Sequence, residues 1–196
     1  LETKILNEVV GSQDQVACAC EGFNNIIFNK NGSFKIKKIN IESKDKVILQ
    51  NNLFLVYSKI QRTAEIIAKS FVNNLSEKKI KEMQMINGIL KDAKKIIQSK
   101  KFGDFGELLH ESWIAKRSLS SKVTNHKIDE LYNYALESGS DGGKLLGAGG
   151  GGFFVFYVKR NNQKKFIKKM KKTLILPFQF DDTGSKIIVN TNSHEK

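Results

Sequence analysis

Five glycines stand in the six positions Gly147–Gly152 of "KLLGAGGGGFFVFYV", and six apolar residues, Phe153 to Val158, follow at once. Glycine has no Cβ, so it enters the positive-φ region cheaply and lets other atoms come close to the main chain, but it loses the most conformational entropy on ordering. So dense a run needs a physical reason. A flexible linker is followed by polar sequence, whereas "FFVFYV" has the length and composition of a strand buried on both faces. The glycines are therefore expected in a close-fitting loop ahead of a core strand. Such a loop serves either an anion or substrate at its N–H groups, or tight packing alone. It is not a Walker loop, since no Lys-Ser or Lys-Thr pair follows it. Nor is it a dinucleotide fingerprint, since no strand is expected before it.

A chain of 196 residues holds one domain, or one domain and part of another. A 40% apolar share and the single proline, Pro177, mark an ordered globular protein. No stretch has the length of a membrane span and no basic-then-apolar leader opens the chain, so a cytoplasmic protein is expected. Cys18 and Cys20 are the only cysteines. Their spacing of two implies neither a disulfide nor a zinc site, and both are expected as small buried packing residues.

The formal charge of +13 raises nucleic acid as a partner. The lysines, however, are spread over several segments. Arg62, Arg117 and Arg160 are the only arginines, the residue type that reads bases by paired hydrogen bonds. Solvated lysine faces, and no nucleic-acid partner, are the expectation.

Leu1, Ile5, Leu6 and Val9 have helical spacing with no cap residue before them. The chain is thus expected to open inside a helix, behind a removed leader or as the downstream part of a longer protein. Gly11, in "VGSQDQ", breaks that periodicity. "GFNNIIF" and "SFKIKKINI" alternate apolar and polar residues about the Asn-Gly turn of "NKNG", which predicts a β-hairpin. "NNLFLVYS" predicts a strand over Asn51–Ser58, and the Asn-rich, charged stretch Ser43–Asn52 before it is the candidate domain boundary.

Helices are expected from Thr63 onward. Ser76 would cap one whose stripe is Ile80, Met83, Ile86, Leu90, Ala93 and Ile97. Asp104 and Glu107 have capping-box spacing at the start of "FGELLHESWIAKRSL", and Asn125 would cap the stripe of Ile128, Leu131, Tyr132 and Ala135. The tail reads as strand Phe153–Val158, lysine-rich helix Gln163–Leu174 and strand Lys186–Asn190. This order of elements predicts an α+β layered domain.

Few side chains announce chemistry by themselves. Asp14 follows the glycine break, where an aspartate caps a turn more often than it catalyses. His110 and Trp113 share one helix, and packing is the commoner fate of both. Arg62, Lys116 and Arg117 are candidates for gripping a phosphate or a carboxylate. Asp104-Phe105-Gly106 spells a kinase metal-binding triplet by chance, for no His-Arg-Asp loop precedes it. No Ser-His-Asp order, metal-ligand cluster or paired-carboxylate spacing is found.

Four segments in order say more than any of them alone: "VGSQDQ" after a glycine break, a strand followed by "IQRTAEI", "LLHESWIAKRSLSSKVTNHKIDELY", and "GGKLLGAGGGGFFVFYV". The set resembles the galactokinase, homoserine kinase, mevalonate kinase and phosphomevalonate kinase (GHMP) superfamily. Within it the chain looks most like the D-glycero-D-manno-heptose 7-phosphate kinases, from Leu1 to about Val189. The resemblance implies a sugar kinase that uses ATP and Mg²⁺ to phosphorylate an anomeric hydroxyl. It implies an α+β fold in two parts: residues 1–50 as the tail of a ribosomal-protein-S5-like kinase domain, and residues 51–196 as a ferredoxin-like GHMP kinase C-terminal domain. The implied partners are a sugar phosphate and a nucleotide, with no membrane; the oligomeric state stays open, a dimer included.

By the same resemblance, Asp14 matches the aspartate assigned as catalytic base or as the charge that orients the sugar hydroxyl, with Gly11, Ser12 and Gln13 beside it at the substrate. Gly147, Ala148, Gly149, Gly150, Gly151 and Gly152 match the superfamily's third motif, a glycine loop lying against the nucleotide phosphate loop and the substrate pocket. Arg62 and Lys116 are assigned to the sugar's existing phosphate. Members also carry an upstream "P-x-x-x-G-L-G-S-S"-like loop around the ATP phosphates, with an acidic Mg²⁺ ligand nearby. Neither is found here, so no metal site is expected within this chain, which is read as the C-terminal portion of such an enzyme. Two rival readings of the charge and the missing loop are a non-catalytic basic module for a polyanion and a degenerate kinase relic that serves as an interaction domain.

Overall fold

The computed structural model describes residues 12–61, 77–186 and 188–189. Leu1–Val9, Gly11, Arg62, Ser76 and Asn190 lie outside the described residues. The chain divides into two compact units, one over residues 43–178 and the other joining residues 12–42 to residues 179–189.

In the smaller unit, β1 (Asn24–Phe28) and β2 (Phe34–Lys38) form the antiparallel hairpin that the Asn-Gly turn predicts, with Asn24 opposite Lys38 and Phe28 opposite Phe34. Gly32 supplies the positive φ of +82° that closes the turn, and its N–H donates to the Asn29 carbonyl at 3.0 Å. Ahead of the hairpin lies α1 (Gln13–Ala19), which carries Cys18 and leads into Cys20. Cys18 is exposed and Cys20 half-buried. The expectation of two buried packing cysteines is therefore corrected: on a short helix that buries only Val16, a spacing of two turns the side chains to different sides. Phe23 meets Phe180 edge-on with ring centroids 4.8 Å apart, fastening the end of the chain to the hairpin side.

The larger unit is built on a four-stranded antiparallel sheet in the order β4-β5-β3-β6, formed by β3 (Leu53–Tyr57), β4 (Gly142–Leu145), β5 (Phe153–Tyr157) and β6 (Ile175–Leu176). Among the described residues its helices are α2 (Ser43–Asn51), α3 (Glu77–Ser99), α4 (Phe105–Leu119), α5 (His126–Glu137) and α6 (Gln163–Lys169). The apolar run that marks β5 buries Phe154, Phe156 and Tyr157, and Val158 just beyond it. Val56 and Leu145 from the neighbouring strands join Phe154 and Phe156 against Trp113 of α4, Ile128, Tyr132 and Ala135 of α5, and Phe166 of α6. Each such side chain contributes about 1.5–3 kcal/mol by leaving water. The architecture is α+β, as the order of elements predicts.

Several boundaries differ from the sequence expectation. A strand, β4, does precede the glycine loop; its "GGKL" composition hides it, because two of four residues have no side chain. Among the described residues the last strand is Ile175–Leu176; of the predicted strand Lys186–Asn190, Lys186, Ile188 and Val189 are described and lie in no strand, Ile188 and Val189 being 92% and 73% exposed. Asp104 ends a 3₁₀ turn, Phe102–Asp104, and its side chain makes no cap hydrogen bond, so the capping box is not formed. Asn125 does cap α5, accepting from the Ile128 N–H at 3.1 Å. Ile80, Met83 and Leu90 of the α3 stripe are exposed, while Ile86, Ala93 and Ile97 are half-buried. The stretch Ser43–Asn52 is mostly helix α2, which buries Leu49. The lysine-rich helix ends at Lys169, and a 3₁₀ turn, Met170–Lys172, continues it.

A glycine-loop cleft as the candidate active site

β4 and β5 are consecutive antiparallel strands, so the chain between them must turn back on itself. Leu146 donates its N–H to the Phe153 carbonyl at 2.8 Å and closes the ladder, leaving Gly147–Gly152 as the tip. Gly147, Gly149, Gly150 and Gly152 take φ values of +62°, +114°, +66° and +89°, a region that costs a residue bearing Cβ about 1–2 kcal/mol. Two chain segments of the same unit hold the tip. Gly150 donates to the Val123 carbonyl at 2.6 Å, and Gly152 donates to the Ile60 carbonyl at 2.9 Å.

Space as well as conformation demands glycine. A Cβ on Gly151 would sit 2.6 Å from the Ile60 oxygen, and one on Gly149 would sit 3.0 Å from Val123 Cγ1. At Gly147 and Gly152, by contrast, nothing lies within 4 Å of where Cβ would be. The run is bare at its centre because the protein's own backbone packs on it. At its two ends it opens on free space.

That space is a cleft of about 630 Å³. The loop backbone forms one side and Leu55, Tyr57 and Phe153 of the sheet form the other, with Gln61 as a polar side chain on its lining. The Tyr57 and Phe153 rings lie 4.9 Å apart. A small molecule with an apolar or planar part against the rings and polar groups against the backbone fits such a surface.

α4 brings the charged candidates here. Trp113 is fully buried against Phe154, 5.6 Å between ring centroids, and fixes the helix on the sheet. Three residues on, Lys116 extends its ammonium to the carbonyl oxygens of Leu145, at 3.1 Å, and Gly147. The structure thus joins Lys116 to the first glycine of the loop. Arg117 lies 5.8 Å from the centroid of the Trp113 ring and pairs with Asp129 at 3.1 Å, an interaction that steadies α4 against α5. His110 Nδ1 and the Tyr132 hydroxyl are hydrogen-bonded at 2.6 Å. Burial pushes the Tyr132 phenol up to about 12, so it stays protonated. His110 and Trp113 are packing residues, as their surroundings in the sequence suggest.

Sequence reasoning missed Lys144. It lies on β4 beside the loop, donates to Ser112 Oγ at 3.2 Å, and burial holds its ammonium below the usual lysine range. Its place on β4, between buried Gly143 and buried Leu145, is readable only once β4 is recognised as a strand.

In the smaller unit, Ser12, Gln13 and Asp14 are consecutive, exposed residues at the start of α1, with Asp14 in the first turn. Gly11 and Arg62 lie outside the described residues. Among the described residues no group of three or more His, Cys, Asp or Glu side chains is placed to hold a metal ion. Nor is any described helix long and apolar enough to cross a membrane.

Comparison with known proteins finds similarity over the segment that holds this cleft. Residues 91–176, from within α3 through β6, match the family described as GHMP kinases C terminal. Over 191 residues the chain is 29% identical to D-glycero-alpha-D-manno-heptose 7-phosphate kinase of Campylobacter jejuni, covering 95% of this chain and 56% of that protein. A crystal structure of a D-glycero-D-manno-heptose 1-phosphate kinase from Bacteriodes thetaiotaomicron shares the fold, with a TM-score of 0.69 and 23% identity over 96% of this chain and 53% of its own. So does a mevalonate kinase from L. major in complex with R-mevalonate, with a TM-score of 0.65 and 16% identity over 82% of this chain and 50% of its own. The chain spans 56% of the length of the curated relative.

Proposed function

We propose that the protein of which this chain is part transfers a phosphoryl group from ATP to the anomeric hydroxyl of a heptose 7-phosphate or a closely related sugar phosphate. The observation that carries this reading is the 29% identity to a heptose 7-phosphate kinase, sustained over 95% of the chain. The bare loop and the cleft beside it support it. In this reading residues 1–50 are the tail of the first kinase domain and residues 51–196 the second domain, and the partners are the nucleotide and the sugar phosphate.

The chemistry asked of the chain is mainly positioning. The sugar hydroxyl oxygen attacks the γ-phosphorus, the new O–P bond forms as the bond to the ADP oxygen breaks, and the hydroxyl proton passes to the Asp14 carboxylate. Asp14 is exposed and at the start of its helix, so its carboxylate is open to a substrate. Ser12 and Gln13 contribute polar groups next to it. Gly147–Gly152 offer backbone N–H groups to phosphate oxygens at the two ends where the loop faces open space. Mg²⁺ bound with the nucleotide would neutralise charge on the transferring phosphoryl group.

The test is ATP-dependent phosphoryl transfer to heptose 7-phosphate, read as ADP and sugar bisphosphate formed, by the intact protein and by Asp14→Asn. A loss of about two to four orders of magnitude in kcat is expected for a general base. Turnover of the variant at the wild-type rate would remove Asp14 from the reaction, and no turnover by the wild type would remove the kinase reading itself.

A further inference from the structure

We infer that Lys116 is a positioning residue that sets the shape of the glycine loop, and that it does not bind the sugar's phosphate. The inference rests on the kinase reading only for its kinetic arm. It starts from the sheet. β4 is the edge strand of the order β4-β5-β3-β6. Along an antiparallel strand, successive residues point their backbone groups alternately to the two sides. Leu146 donates to Phe153 and so faces β5. Leu145 and Gly147, one residue before and one after, therefore face the edge of β4 along which no described strand pairs.

Lys116 fills that edge. Its Nζ donates to the Leu145 oxygen at 3.1 Å and to the Gly147 oxygen. A single ammonium thus takes the place of a fifth strand at the two carbonyls where β4 passes into the loop. The ammonium is placed by a helix that cannot shift: Trp113, one turn earlier on α4, is fully buried, and Arg117, next along, is held by Asp129 at 3.1 Å. Fixing Gly147 fixes the direction in which the chain leaves β4. That direction decides whether Gly150 and Gly152 reach the carbonyls of Val123 and Ile60, which anchor the far side of the tip. A cation already coordinated by two edge carbonyls is poorly placed to meet a phosphate. Its effect on a ligand passes through the backbone it holds.

Two readouts separate the roles in Lys116→Met and Lys116→Arg. The first is amide hydrogen exchange in peptides covering Leu145–Phe153, which needs no turnover. Lys116→Met should speed exchange at Gly150 and Gly152 at least tenfold, with the amides of α5 unchanged. Lys116→Arg, which keeps two donors, should stay within twofold of wild type. The second readout is steady-state kinetics of the intact protein with ATP and sugar phosphate. Lys116→Met should lower kcat at least tenfold while KM for the sugar phosphate moves less than twofold.

A KM raised tenfold or more, with loop exchange as in wild type, overturns the inference in favour of a phosphate ligand. Unchanged exchange with unchanged kinetics overturns it in favour of a surface cation. Should the Met variant fail to fold, loss of exchange protection in the folded Arg variant overturns it, and retention supports it. A wild-type protein that phosphorylates no sugar phosphate defeats the kinase reading but leaves the exchange result to decide the role of Lys116.

Discussion

The Tyr132 hydroxyl and His110 Nδ1 are 2.6 Å apart, and this bond ties α5 to α4 beneath the sheet. The phenol oxygen also accepts from the Gly143 N–H of β4, so one side chain fastens three elements. Burial pushes its titration up to about 12 from the ordinary 10.0. The unfolded chain therefore releases this proton first as pH rises. The stabilisation is complete below pH 10 and is lost between 10 and about 12. Tyr132→Phe should cost about 1–2 kcal/mol at pH 7, since it leaves the imidazole nitrogen and the Gly143 N–H without their partner. It should also flatten the alkaline decline. Tyr157, raised likewise by burial, keeps part of that slope. Urea unfolding between pH 8 and 11 would show it; a slope equal to that of the wild type would mean that Tyr132 ionises as freely in the folded protein as in the unfolded one.

Glycines of one loop should not be equally replaceable. Gly151→Ala places a Cβ 2.6 Å from the Ile60 oxygen, a backbone clash expected to cost about 3 kcal/mol. Gly147→Ala meets nothing within 4 Å and carries only the conformational cost of its φ, about 1 kcal/mol. Chemical denaturation of both variants measures the difference. Equal losses would show that the approach of Ile60 does not restrict the loop.

Lys144 pays for its place on β4. Desolvation holds its ammonium below the usual lysine range, so the unfolded chain binds the proton more tightly and stability rises with pH through that interval. Burying the charged form costs stability. Lys144→Met should therefore raise stability at pH 7 by about 1 kcal/mol, despite the lost bond to Ser112. The advantage should shrink as pH approaches the ordinary lysine value of 10.5. Thermal unfolding at pH 7 and pH 10 compares the two. A variant that is less stable at both would mean that the Ser112 bond outweighs desolvation.

Local chemistry made much of this fold readable. The Asn-Gly turn at Gly32 dictates a hairpin whatever surrounds it, the Asn125 cap needs only the N–H three residues on, and "FFVFYV" can be stable only inside a core. Elements that depend on distant partners were not readable. β4 is two glycines, a lysine and a leucine, and becomes a strand because β5 pairs with it and because Gly142 and Gly143 leave room for α4 and Phe156. β6 is two residues long and exists by pairing with Leu55 and Val56. Within the site, the glycine run pointed to the loop, but not to Val123 and Ile60, the neighbours that make glycine necessary. Lys116 stood out for its charge, while its carbonyl partners follow only from the edge position of β4.

The tip between β4 and β5 is pinned at fixed intervals: Leu146 to Phe153, Gly150 to Val123, Gly152 to Ile60. Its length is consequently a specification, much as the tooth count of a gear is. One residue inserted or removed between Leu146 and Gly152 would put the later amides out of step with oxygens that cannot follow them. Substitutions in this hairpin can be absorbed in part, whereas a change in residue number has nowhere to go.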